Sequence, residues 1–172
     1  MSRYAPSVAL FLLVAVASRV QAQREGPSSE AGVMIGASRY HFPGDDIGTG
    51  PALTVGITIP LDRHTLFLEP SLGFLRFTTE FGHRSSWMFP ELSLQAQSHL
   101  GSVRPYLGVG LGTGTTGLSG PAHWKFAMLA MGGARVHLAG RWGVRGEVRL
   151  RSVDPWNGRT ADFNLGFTHA SF

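Results

Sequence analysis

A chain of 172 residues, 43% hydrophobic and only 15% charged, holds one domain. Its fifteen basic and eleven acidic residues nearly balance, and the basic ones are scattered arginines with Lys125 the sole lysine, so no nucleic-acid-binding patch is present. Cysteine is absent, which excludes disulfide frameworks and thiolate metal sites, and no cofactor is expected.

In chain order, residues 1–22 read as a signal peptide. Arg3 opens a basic region, Val8 to Ala17 form an apolar run, and Val20-Gln21-Ala22 offers small residues for cleavage. That run is too short to cross a bilayer, and no other stretch approaches the roughly 20 apolar residues a spanning helix needs. An exported chain without cysteine must draw its stability from a core or a closed sheet. Residues 23–29 are polar with Gly and Pro and read as a loose tail.

From 30 to 172 the pattern has period two. Extended runs fall near 31–42, 51–61, 64–80, 86–99, 103–114, 124–138, 142–152 and 161–172, with no competing amphipathic helix. Longer connections, "FPGDDIGTG", "FGHRSS", "TTGLSGPAH" and "VDPWNGRT", alternate with tight ones around Asp62-Arg63, Gly101-Ser102 and Gly140-Arg141. This alternation predicts an all-β fold, an eight-stranded antiparallel up-and-down barrel with the long loops at one rim. Pro70 and Pro90 interrupt two of the runs and are expected at bulges or irregularities.

The two faces differ in chemistry. One carries Leu53, Val55, Ile57, Ile59 and Leu61, then Leu66, Leu68, Leu72 and Phe74, then Met88, Leu92 and Leu94. It continues with Leu107, Val109 and Leu111, Phe126, Met128, Ala130, Ala134, Val136 and Leu138, and Val144, Val148 and Leu150. The other is small or polar: Thr54, Gly56 and Thr58, then Glu69, Ser71 and Gly73, then Glu91, Ser93, Gln95 and Gln97. It ends with Gly133, Arg135 and His137 and with Arg145, Glu147, Arg149 and Arg151.

The alternating glycines of the stretch "RPYLGVGLGTGTTGLSG" from Arg104 belong to the second face. A dinucleotide loop needs G-x-G-x-x-G, and its third position falls here on Thr113 or Thr115. Gly108, Gly110, Gly112 and Gly114 instead alternate with larger residues, as a strand with one bare face. A soluble barrel with the oily face inside, as in a lipocalin, calls for an outer surface about 25–35% charged. The reverse arrangement suits this chain: glycines make lumen space for neighbouring arginines, and the oily row meets lipid. Turned outward, an arginine at the bilayer midplane costs about 2–4 kcal/mol. Aromatic residues Tyr40, Phe42, Phe81, Trp87, Phe89, Trp124, Trp156 and Phe163 near one rim, with Tyr106, Trp142 and Phe172 near the other, are expected to form two interfacial belts.

"RPYLGVGLGTG" and "GGARVHLAGRWGVRGEVRLR", with a signal peptide and a terminal Phe172, resemble the small outer-membrane β-barrel proteins of the OmpA transmembrane-domain and OmpX type. The resemblance covers the chain from about Glu30 to the end. It implies an integral protein of a Gram-negative outer membrane, with both termini periplasmic, inserted by the barrel-assembly machinery that reads an aromatic end. Phe172 stands at the opposite parity to Phe163, Leu165 and Phe167, which a bulge between His169 and Ser171 could repair.

Candidate chemistry centres on Glu69, Glu91, Arg135, His137, Arg145, Glu147, Arg149 and Arg151, expected as a charge network filling the lumen; a gate or narrow ion path is the alternative. His169-Ala170-Ser171 has the spacing used by eight-stranded lipid A deacylases, with no acid following it. The remaining histidines are dispersed singly, without metal-site spacing, and Asp45-Asp46 is expected as a solvated loop pair, with weak cation binding as the alternative. The expected function is structural or surface-interactive in a monomer, ahead of a narrow channel, a lipid-modifying enzyme and a soluble carrier.

Overall fold

The protein is described by a computed structural model covering residues 29–41, 47–62, 65–79, 82, 84–116, 123–154 and 158–171. Eight strands are present: β1 Glu30–His41, β2 Ile47–Pro60, β3 Leu66–Thr79, β4 Arg84–Gln97, β5 Val103–Thr116, β6 His123–Ala139, β7 Trp142–Val153 and β8 Gly158–Ala170. Each pairs antiparallel with its neighbour in sequence, and β1 closes on β8 from Glu30↔Ala170 to His41↔Arg159. Closure matters physically because it leaves no strand edge whose amides lack a partner.

The expected 1–22 signal peptide, most of the 23–29 tail and Phe172 lie outside the described residues. Ser29 is described, and it is buried, with its carbonyl accepting the Ser171 amide at 2.7 Å. Its place is therefore in the barrel and not in a loose tail.

The connections differ from the expected alternation of long and short. Residues 42–46, 80–83, 117–122 and 155–157 separate strands at one rim, here the loop rim, and 61–65, 98–102 and 140–141 at the other, the terminal rim. The two sets are of similar length, because β2 and β8 begin earlier than expected and take up half of "FPGDDIGTG" and of "VDPWNGRT". Glycine and threonine in those segments permit extended backbone whenever a neighbouring strand offers partners. At the terminal rim Asp62 accepts the Thr65 and Leu66 amides at 2.7 and 2.8 Å, and Gly140 turns with φ +59°.

Neither Pro70 nor Pro90 makes a bulge. Both stay in unbroken β3–β4 register, opposite Leu92 and Leu72. Each instead leaves a short gap in the ladder on its other side, Pro70 toward β2 and Pro90 toward β5, with the register the same on both sides of the gap. The missing amide of each proline points to one neighbour alone, so the cost is confined to one ladder. The register shift that does occur lies between His137 and Ala139, beside the β6–β7 turn. Gly132 and Gly133 pair in register with Val148 and Glu147.

Period-two patterning sorts the side chains by face as expected. Outside stand Val33, Ile35, Leu53, Val55, Leu107, Val109, Leu111, Leu150, Phe163, Leu165 and Phe167; inside lie Glu69, Glu91, Arg145, Arg149 and Arg151. Among the described residues the interior at mid-height is mainly polar and charged, with Leu129 and Met131 of β6 buried beside Tyr106, so it is not a leucine core of the lipocalin kind.

Glycines at the β1–β8 seam show how tightly that closure is made. A Cβ on Gly166 would stand 2.0 Å from the Val33 carbonyl oxygen, and one on Gly36 1.9 Å from that of Phe163. Gly166→Ala is therefore expected to cost about 1–3 kcal/mol through forced backbone movement. A lowered urea midpoint for the folded barrel, with an unchanged slope, checks it.

Candidate functional site

The lumen is organised in layers, each supplied by inward positions of several strands. Nearest the terminal rim, Glu30 on β1 receives Arg104 at 2.8 Å and lies 3.8 Å from Arg135. Arg135 donates to Gln97 at 2.5 Å, Gln95 at 2.7 Å and Thr58 at 3.1 Å, with its guanidinium 4.6 Å from the Tyr106 ring centroid.

In the middle layer Glu69 is the hub. It accepts two bonds from Arg145, at 2.5 and 3.1 Å, one from Arg149 at 2.6 Å and one from the Thr58 hydroxyl at 2.9 Å. Arg145 and Arg149 both also donate to Glu147 on their own strand. Tyr106 connects the two sides, accepting from Arg145 Nε at 2.6 Å and donating to Glu147 at 2.6 Å.

Above it Arg149 reaches Glu91 at 3.0 Å and Ser71 at 2.9 Å. Arg151 grips Glu91 with two parallel bonds, 2.5 Å from Nε and 3.0 Å from Nη2, and turns Nη1 to Asp162. Asp162 also accepts the Ser38 hydroxyl at 2.5 Å. Bare glycines make the room: a Cβ on Gly73 would meet Arg151 at 3.1 Å, and one on Gly112 would meet Glu91 Cγ at 2.9 Å.

A plug of apolar and aromatic side chains completes the filling at the loop rim. Tyr40, Leu75, Phe77, Trp87, Phe89 and Val153 are buried together, with Trp87 and Phe89 stacked at 5.7 Å and Arg151 lying 4.9 Å from the Phe89 ring centroid. This corrects the expected belts. Tyr40 and Trp87 face inward into the plug, and Tyr106 faces inward into the ion network, because each has the parity of its strand's polar row. Trp124 and Trp142 do stand outside, at opposite rims, and Trp142 packs edge-on against His169 at 4.7 Å. Phe42, Phe81, Trp156 and Phe172 lie outside the described residues.

Seven of the eight expected charges meet in the lumen. His137 does not: it shares the inward parity of Arg135 but lies beyond it at the terminal rim, where it is exposed beside the register shift. Asp162, Glu30, Tyr106 and the Glu30 partner Arg104 escaped the sequence reading. Asp162 carried a usable signal, since it has the parity opposite to Phe163, Leu165 and Phe167. Glu30 and Tyr106 carried less, the first at a strand end and the second reading equally well as a belt residue. Of the other candidates, Ser171 Oγ donates to the Ser29 carbonyl at 3.1 Å and His169 holds Trp142; Asp45 and Asp46 lie outside the described residues. Among the described residues no group of three or more His, Asp or Glu could hold a metal ion.

Chemically, the interior is a set of ions fixed by one another. Bidentate arginine-carboxylate geometry has planar, directional bonds, so these groups are not free to turn toward a passing solute.

The family described as outer membrane protein beta-barrel domain matches residues 7–169. Among solved structures, Ail, the attachment invasion locus protein of Yersinia pestis, is similar over 84% of this chain and 98% of its own, at 12% identity and a TM-score of 0.60. Neisserial surface protein A is similar over 86% and 100%, at 16% identity and 0.57. The outer membrane enzyme PagL is similar over 83% and 99%, at 15% identity and 0.53. Identities this low show a common fold alone. No curated protein matches by sequence.

Proposed function

Since this chain belongs to the outer membrane protein beta-barrel family and is an integral protein of that membrane, we propose that it works as a closed, non-conducting barrel. Its role in this reading is structural or interactive: membrane integrity, or contact with other surfaces through the connections at the loop rim. It acts as a monomer, with the terminal rim in the periplasm, after insertion by the barrel-assembly machinery.

One observation carries the reading. The lumen is filled by stacked layers, an ion network from Glu30 to Asp162 and the aromatic plug over it, and the four interior arginines Arg135, Arg145, Arg149 and Arg151 are all fully buried. Eight strands enclose an interior just wide enough for side chains, and here the side chains use it.

Planar-bilayer recording of the refolded protein is the test. No current steps are expected, and none from a Phe77→Ala, Phe89→Ala variant either, because the ion layers remain below the missing rings. Regular unitary steps from the unaltered protein, lost in Arg149→Gln, would reinstate the narrow channel.

A further inference from the structure

Prolines interrupt the ladders of this barrel unevenly. Pro51 keeps its pairing with Ala37 of β1 but opens a gap toward β3, where the register passes from Thr49↔Thr78 directly to Ala52↔Leu75. Pro90 opens a second gap toward β5, between Met88↔Thr115 and Glu91↔Gly112. A proline has no amide to give, so at both places the wall loses interstrand hydrogen bonding. Between the two gaps stands the β3–β4 hairpin, whose own ladder is unbroken from Leu66↔Ala96 to Thr78↔Arg84.

The tip of that hairpin, residues 76–79 of β3 and 84–88 of β4, is therefore one body loosely joined to the rest of the wall. Above the gaps, among the described residues, Gly48↔Thr79 and Thr49↔Thr78 tie it to β2, and Trp87↔Thr116 and Met88↔Thr115 tie it to β5. Its inner face carries Phe77 and Trp87 of the plug. Tyr40 of β1 lies 5.0 Å from the Phe77 ring and 5.7 Å from that of Trp87, which also stacks on Phe89 below. In water the hydrophobic effect would oppose release of these rings. Here the alternative to the plug is hydrocarbon, which is equally apolar, so only van der Waals contact holds them. A segment with few backbone bonds and no burial-driven stabilisation is among the first to open.

We propose that the hairpin tip is a flap that swings outward at these two seams and admits one hydrocarbon chain of a neighbouring membrane lipid to the plug. The occupant follows from the surfaces on either side of the flap. Outside, a groove of about 860 Å³ crosses both seams, lined by Pro51 and Leu53 before the flap, Met88 on it and Thr115 beyond it, with Phe74 at its base. Inside, the flap covers Ala52, Leu75, Ala127 and Val153, a chamber with apolar walls. A chain already lying in the groove spans both seams, and in the chamber it replaces the contacts that Phe77 and Trp87 give up. The ion layers from Glu30 to Asp162 stay in place below, so the inference goes beyond the non-conducting barrel without altering it.

The protein is folded into vesicles of phosphatidylcholine that carries a diazirine midway along one acyl chain, illuminated, and digested, and mass spectrometry locates the lipid adducts. Adducts are expected on the inward residues Ala127 or Val153 as well as on outward ones such as Leu53. The chain has no cysteine, so introduced pairs cross-link without background. Oxidised Thr49→Cys with Thr78→Cys, and oxidised Met88→Cys with Thr115→Cys, should each lose the inward adducts and regain them on reduction. Thr78→Cys with Arg84→Cys, a cross-link inside the flap, should keep them. Pro51→Ala with Pro90→Ala, which returns both amides, should lower them and replaces any cross-link that does not form. Heat-modifiable gel migration verifies that each variant is folded. Adducts confined to outward side chains, or inward adducts that survive both cross-links across the seams, overturn the flap and leave the closed barrel standing, since that reading fails only on unitary current.

Discussion

Arg151→Ala should destabilise the folded barrel by about 3–5 kcal/mol, the range for removing one partner of a buried ion pair. Arg151 holds Glu91 by two parallel bonds and Asp162 by a third. After truncation Glu91 still has Arg149 at 3.0 Å, whereas Asp162 keeps the Ser38 hydroxyl and, among the described residues, no other guanidinium. The stranded Asp162 carboxylate therefore accounts for most of the loss. Two further variants separate this from simple loss of packing. Arg151→Ala with Asp162→Asn should recover part of the stability, because the unpaired charge is gone. Arg151→Lys should recover little, because a single ammonium cannot reproduce the forked contact with Glu91 while also reaching Asp162. Urea unfolding in lipid vesicles, followed by tryptophan fluorescence, measures all three. If the double variant is as unstable as Arg151→Ala, Asp162 is not the source of the cost.

Val109→Arg should be the most damaging substitution on the outer wall, at about 2–4 kcal/mol, with Leu138→Arg near the terminal rim costing about 0–1 kcal/mol. Val109 is 65% exposed near the middle of β5, and Leu138 is 57% exposed at the end of β6. Exposure is thus nearly the same, and what differs is depth in the bilayer. On a water-facing wall both changes would lie within about 0.5 kcal/mol of neutral. Unfolding midpoints in vesicles of fixed thickness separate the two cases, and equal small effects at both positions would contradict embedding of this face.

Strand number and the division of side chains into two faces were legible from the chain because both depend on local period. Once β7 is read as extended, Arg145, Glu147, Arg149 and Arg151 must share a face, and the absence of a charged opposite row decides which face meets lipid. Less legible were features that depend on what a neighbouring strand offers. "FPGDDIGTG" reads as loop from its glycines and acids, yet from Ile47 it pairs with the end of β1. Pro70 and Pro90 read as bulges or irregularities, yet the ladder to one neighbour runs straight through them and only the other ladder has a gap. Tyr40, Trp87 and Tyr106 lie near strand ends, which suggested belts, while their parity already pointed inward; chemical habit was weighted above period, and period prevailed.

By itself, then, the sequence determined eight strands, their antiparallel order and the burial of arginines and glutamates away from lipid, all consequences of a two-residue repeat and of the cost of a charge in hydrocarbon. Tertiary structure alone decided which charges meet. Arg145 and Arg149 find Glu69 across the lumen, 76 and 80 residues away, and Arg151 divides itself between Glu91 and Asp162. The same closure drew the aromatic rings at the loop end into a plug. Pairing of this kind is set by the stagger and diameter of the closed cylinder, which bring inward residues of non-adjacent strands to one height, and no local pattern in the chain encodes that height.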